Sequence, residues 1–280
     1  WKYLIHILKN AKNFVCVDAD ISELCFILLD YIGRPYNFIK NEYKHNNNVQ
    51  AKEVYSIEDF IKIIKGKKKY MVACDSKKAA EYIYLETGKQ AKLLTASTDK
   101  LEDETLDDYD KIIFSPSIIY GLDSSINRPV FCYHKENTIS PPNMVQQIAR
   151  CRDIEKLYFC FQKKQFTPVK FNTKEECDDY YLELYNYGNK FFDPLEQENN
   201  NNEKIFFEML KYYYYKMDAY NSNKACHFKL IIEKRGFILD SKNKDTKKIS
   251  KDLNEDIKQK VMDFKLENFD IDSDQVQEFN

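Results

Sequence analysis

Short, unbroken apolar runs recur along the amino-terminal part of this chain, most of them followed by a polar loop and a stretch with helical spacing. Phe14-Val15-Cys16-Val17, Tyr70-Met71-Val72-Ala73-Cys74, Lys92-Leu93-Leu94-Thr95, Asp110-Lys111-Ile112-Ile113-Phe114, Val130-Phe131-Cys132-Tyr133 and Leu157-Tyr158-Phe159-Cys160-Phe161 each read as a buried strand. Phe38-Ile39 and Val54-Tyr55 are weaker strand candidates. Ile21 to Tyr31 and Ile57 to Lys65 have helical periodicity, the second with Ser56 as cap and Gly66 as stop, and Asp75-Ser76-Lys77-Lys78 opens a further helix to about Thr87. Strands alternating with helices predict an α/β domain over residues 14–170, a parallel sheet with helices on both faces. Ligands of such sheets gather where the strands end.

Residues 1–13 read as the last turns of a preceding element. Past Pro168 the character changes. Thr173 to Tyr187 and Glu203 to Tyr215 are helical in pattern and rich in tyrosine, separated by an acidic, asparagine-rich linker at 196–202, so residues 171–240 predict a small, mostly α-helical region. Phe228 to Phe237 reads as its second helix, and residues 241–280 as a charged helix and an acidic tail.

A net charge of −2 gives no overall attraction to nucleic acid or an anionic membrane, so such binding would need a local patch. The eight cysteines include no C-x-x-C pair and mostly lie inside apolar runs, which favours a reducing compartment over a disulfide framework or a zinc site. The four histidines are scattered, and no metal site is expected. No apolar run approaches the roughly 20 residues of a membrane span, so the chain is expected to be soluble and intracellular, with no membrane partner. It starts at Trp1 inside an amphipathic pattern, as a fragment or excised domain would.

Polar groups follow several strands, at Asp18 to Asp20, Asp75 to Lys77, Thr95 to Thr98 and Ser115 to Asp123. The last, Ser115-Pro116-Ser117-Ile118-Ile119-Tyr120-Gly121-Leu122-Asp123, offers hydroxyls, a glycine and a carboxylate, as a loop touching phosphate and aiming an acid at a ribose or arginine would. It also fits a plain turn, with Asp123 as a cap. In Pro142-Asn143-Met144-Val145-Gln146-Gln147-Ile148-Ala149-Arg150-Cys151-Arg152-Asp153, Asn143 suits a helix cap, and Met144, Ile148 and Cys151 form one apolar stripe. Gln146 and Arg150 then project from the opposite side, into a nucleotide cleft or simply into water. Lys229, Lys234 and Arg235 suit either DNA phosphates or a solvated helix face, and Tyr212 to Tyr215 suit packing better than stacking on bases.

Ser115, then Gly121-Leu122-Asp123, then after one more strand Gln146-x-x-Ala149-Arg150-x-Arg152, resemble motifs V and VI of the second RecA-like domain of superfamily 2 helicases. The neighbourhood Phe114 to Gly121 is most similar to the herpesvirus-type replication origin-binding proteins and their relatives in large DNA viruses, and the likeness covers roughly residues 12 to 165. The resemblance implies a RecA-like sheet in the motor half of an ATP-dependent DNA helicase. Gln146 and Arg150 would face the nucleotide, with Arg150 or Arg152 as arginine finger, and Gly121 and Asp123 would couple nucleotide to strand-binding loops. Ser76, Lys77, Thr95, Ser115 and Ser117 would lie along the nucleic acid. The family's motif VI glycine is Ala149 here.

These residues contain no G-x-x-x-x-G-K-[ST] loop and no DEAD-like acidic motif. The resemblance therefore implies that ATP and Mg2+ are held mainly by a first RecA-like domain outside this sequence, and that the chain cannot hydrolyse ATP alone. The implied partners are DNA, in single-stranded form, and that first domain, in the cytoplasm or nucleus of a host cell if the protein is viral. A rival of another class is a non-catalytic helicase-like scaffold that binds nucleic acid or a replication partner. A Rossmann-type enzyme is disfavoured, because no Gly-rich turn follows any strand.

Overall fold

The computed structural model describes residues 2–17, 21–98, 104–116, 122–135, 138–162, 168–189 and 201–240. Its helices are α1 (Lys2–Asn10), α2 (Glu23–Ile32), α3 (Ile57–Lys65), α4 (Lys77–Glu86), α5 (Pro141–Ile148), α6 (Lys174–Asn189), α7 (Asn201–Ser222) and α8 (Lys224–Lys234). Its strands are β1 (Gln50–Glu53), β2 (Tyr70–Cys74), β3 (Lys92–Leu94), β4 (Lys111–Phe114), β5 (Arg128–His134), β6 (Ile154–Phe161) and β7 (Ile238–Asp240). The chain divides into two compact units, Trp1–Glu42 with Phe166–Ser222, and Tyr43–Gln165 with Asn223–Asn280.

The second unit holds the sheet. Its order is β3-β4-β2-β5-β6-β1-β7, and every neighbouring pair runs parallel. The apolar runs are buried on both faces because each face carries helices, as the sequence predicts. On one face Met71, Ala73, Cys132, Phe159 and Phe161 pack with Met144, Val145 and Ile148 of α5 and with Phe228 and Ile232 of α8. On the other, Val72, Cys74, Phe131, Tyr133 and Cys160 pack with Phe60 and Ile64 of α3 and with Ala80 and Ile83 of α4. Phe131 sits at the centre of that layer, its ring stacked on Tyr158 at 4.8 Å and edge-on to Phe60 at 5.5 Å.

Local chemistry sets the helix ends. Ser56 caps α3 by accepting from the Asp59 N–H at 3.1 Å, with Glu58 and Asp59 in the first turn and Lys62 and Lys65 in the last, as the helix dipole favours. Helix α5 begins three residues earlier than its asparagine suggests. Ser140 is the N-cap residue, and Pro141 and Pro142 occupy the first turn, where a missing N–H costs nothing. The helix stops at Ile148, so Arg150 lies just beyond its end.

The first unit is helical, built from α1, α2, α6 and α7. Arg34 closes the end of α1, donating to the carbonyls of Leu8 at 3.0 Å, Ala11 at 2.5 Å and Lys12 at 3.1 Å. Between α6 and α7 the rings of Tyr181 and Tyr214 stack at 4.9 Å, and Asp218 of α7 accepts from the backbone N–H groups of Lys170 and Phe171. The tyrosine-rich helices thus pack part of their rings on each other.

Several expectations need correction. Phe14 to Val17 forms no strand and belongs to the helical unit, with Val15 and Val17 more than four-fifths exposed. A four-residue apolar run matches a buried strand only if neighbouring strands flank it, and among the described residues none does. Phe38-Ile39 is likewise no strand; Phe38 instead sets its ring edge-on to Phe26 of α2. The strand expected at Val54-Tyr55 lies just before it, at Gln50–Glu53, where Ala51 alone is fully buried. Helix α8, expected among the carboxyl-terminal helices, covers the sheet, and β7 after it adds a strand beside β1 that polar neighbours conceal in sequence. The turn between them needs Gly236, at φ +99°, where a Cβ would come within 3.1 Å of the Asn47 Cα. The linker at 196–200, Asp18 to Asp20 and residues 241–280 lie outside the described residues. Among the described residues, no helix is long and apolar enough to cross a membrane.

Candidate functional site

The loop before β5 and the loop before β6 are tied together by backbone. The Ser124 N–H donates to the Arg150 carbonyl at 2.7 Å, and the Arg152 N–H donates to the Ser124 carbonyl at 2.7 Å, one parallel bridge outside the strands. This places Asp123 between two guanidinium groups. Arg150 Nη1 donates to Asp123 Oδ1 at 2.9 Å, while Arg152 donates to Oδ2 through Nη2 at 2.5 Å and Nε at 3.2 Å. Arg150 Nε also donates to the Gln146 carbonyl at 3.3 Å. The imidazole of His45 hydrogen-bonds the Arg152 carbonyl.

Two cations on one carboxylate leave an excess of positive charge, and planar guanidinium forks suit a phosphate as well as they suit the acid that now holds them. Asp123 and Arg152 are partly exposed, with side chains 40% and 52% accessible, so their pair contributes little to stability. Arg150 is different. Its side chain is 16% accessible, held against the protein on both sides of its fork. The expectation that Gln146 and Arg150 stand free and outward is therefore corrected: Arg150 is engaged by Asp123, and the Gln146 side-chain oxygen is buried without a hydrogen-bond partner among the described residues. Gln147, not singled out in sequence, is fully buried and donates to the Cys74 carbonyl at 3.2 Å, tying α5 to the end of β2.

The remaining sequence candidates fall elsewhere. Ser76, Lys77, Thr95 and Ser115 follow β2, β3 and β4, so they line the edge where strands end. Asp123, Arg150 and Arg152 lie before β5 and β6, at the edge where those strands begin. The arginines are thus turned away from the edge on which the sequence reading placed ligands, because the helix carrying motif VI runs back along the sheet before β6 starts. Ser117 and Gly121 lie outside the described residues.

Within the carboxyl edge, the Ser76 hydroxyl accepts from the Ala79 N–H at 3.2 Å as the cap of α4. Thr95 is buried and accepts from the Ser97 N–H at 3.3 Å, and Ser115 is buried. Lys77 hydrogen-bonds the Ser97 hydroxyl and lies 3.6 Å from the buried carboxylate of Glu81. Of these, Lys77 keeps the most reach toward a ligand.

His134, at the end of β5, was no sequence candidate. It is buried between Phe161 and Phe228, both ring nitrogens lack partners among the described residues, and burial, helped by Lys224, pushes its pKa down to about 3. The unfolded chain therefore binds a proton at this group that the folded chain refuses. Stability from this group should be complete above about pH 6.5 and should fall as pH drops toward about 3, by at most about 1.4 kcal/mol per pH unit. Urea unfolding at pH 7 and pH 5 should show the loss, and His134→Phe should shrink the difference. Among the described residues, no group of three or more His, Cys, Asp or Glu could hold a metal ion.

No family model matches the chain, and no curated protein matches it. Among solved structures it is similar to a variant of S. cerevisiae Dbp5 bound to RNA and ADP BeF3, with a TM-score of 0.36 and 14% identity, over 51% of this chain. The chain matches 43% of that chain's length.

Proposed function

We propose that the sheet unit is the second RecA-like lobe of an ATP-dependent superfamily 2 motor acting on DNA, of the replication origin-binding type. The observation that carries this reading is the meeting of the two motif-bearing loops: the acid of Gly121-Leu122-Asp123 receives both arginines of Gln146-x-x-Ala149-Arg150-x-Arg152. Residues that the resemblance assigns to motifs V and VI are separated by a whole strand and helix, yet meet at one carboxylate.

Arg150 and Arg152 fit the phosphates of ATP, and Asp123 keeps their forks oriented until a more highly charged partner arrives. The nucleotide supplies a γ-phosphoryl group whose developing charge a guanidinium can meet. Magnesium and the phosphate-cradling loop would come from the companion lobe. Lys77, Ser76, Thr95 and Ser115 lie at the opposite edge, where a DNA backbone would run. One lobe would then read nucleotide at one edge and nucleic acid at the other.

The reading is tested by combining the chain with a lobe that carries a phosphate loop and measuring ATP hydrolysis with and without single-stranded DNA. Stimulated hydrolysis is expected; none would overturn it. One observation favours a second reading, a non-catalytic helicase-like scaffold: both arginines are already hydrogen-bonded to Asp123, so their forks have a partner without nucleotide. Under that reading the chain binds DNA or a replication partner equally well with and without ATP.

A further inference from the structure

Behind the Asp123 cluster stands a second, buried one. Arg128, the first residue of β5, is fully buried, a costly place for a guanidinium. Its Nη1 donates to the Tyr109 carbonyl at 2.7 Å and its Nη2 to the Ser124 hydroxyl at 3.0 Å, with Asp107 Oδ1 3.9 Å away. Asp107 in turn accepts from the Ser125 N–H at 3.0 Å and 3.2 Å through its two oxygens. Hydrogen bonds from Ser124 and from the Ser125 and Ile126 backbone hold the Asp107 carboxyl below its usual range.

Ser124 is where the two clusters meet. Its side chain is gripped by Arg128, while its own N–H and carbonyl make the two 2.7 Å bonds to Arg150 and Arg152. Nothing about the sheet requires an arginine at the first, buried position of β5, where an aliphatic side chain would pack at no desolvation cost. We propose that Arg128 and Asp107 are positioning residues, which fix Ser124 and thereby hold the Asp123 carboxylate in register with Arg150 and Arg152. The importance of that register rests on the function proposed above, but the bracket itself does not.

The test uses the full chain and the arginine-specific reagent phenylglyoxal, with modification mapped residue by residue by mass spectrometry. Asp107→Asn keeps the shape of a partly exposed side chain and removes its charge. Arg128→Lys keeps charge and loses the fork. In both, Arg150 modification relative to Arg235, which follows α8 in the same sheet unit, is expected to rise about tenfold, the effect of losing one charge-assisted hydrogen bond. General loosening would raise both arginines alike, and a merely structural bracket would lower the unfolding midpoint without changing their ratio. Either outcome overturns the proposal. If Arg128→Lys does not fold, Asp107→Asn decides alone. An ATP titration of the unaltered chain with its companion lobe reads the functional proposal separately: no binding there, with the arginine ratio still shifted, would sink the motor and spare the bracket.

Discussion

Replacing Arg150 by alanine in a protein that contains both lobes is expected to lower ATP turnover by about 10³, the lower end of what an arginine finger supplies. The magnitude follows from placement. Arg150 is the more enclosed of the two arginines and has a second contact at the Gln146 carbonyl, so its fork is held in one orientation before nucleotide arrives. Arg152 spends a bidentate fork on Asp123 with half its side chain in water, and Arg152→Ala should cost much less. Because Asp123 is 40% accessible and keeps Arg152 when Arg150 is removed, Arg150→Ala should lower the unfolding midpoint only modestly. Steady-state turnover with single-stranded DNA checks the first part and thermal unfolding the second. Near-normal turnover would remove Arg150 from the chemistry and favour the scaffold.

The second large effect concerns stability. Phe228→Ala is expected to cost about 3–5 kcal/mol, the range for emptying a buried aromatic site. Phe228 is fully buried, and its ring lies 5.3 Å from that of Phe159, 5.4 Å from that of Phe161 and 5.5 Å from the imidazole of His134. Deleting it uncovers one face of β5 and β6 and leaves His134 against a void. Chemical denaturation at neutral pH measures the loss. A change below about 1 kcal/mol would mean that α8 does not cover the sheet, since even a partly buried side chain is worth that much.

The strands built on continuous apolar runs, β2, β4, β5 and β6 and also β3 at one edge, were legible. β1 and β7 were not, although β1 lies between β6 and β7. β1 buries only Ala51 fully and β7 none of its residues, so neither stands out from a polar loop. Phe14 to Val17 shows the converse error, since apolarity over four residues describes a side chain's preference and says nothing about whether a partner strand is present. At the site, motif spacing named Asp123, Arg150 and Arg152, and the structure pairs that acid with both arginines. What spacing could not convey is that Ser124 bridges the two loops, that Arg128 is buried behind it, or that the cluster sits where strands begin. Those facts depend on which residue lands opposite which after the chain has crossed the sheet.

The sheet unit is assembled from two stretches of sequence, with the helices α6 and α7 encoded between them. During synthesis the ribosome therefore releases β1 to β6 well before α8 and β7 exist, and for that interval Phe159 and Phe161 on one face have no cover. A nascent chain of this kind has to wait for its own closing segment, so its maturation is tied to translation of the region past Asn223, and a stop codon placed before that point would yield a product prone to aggregation.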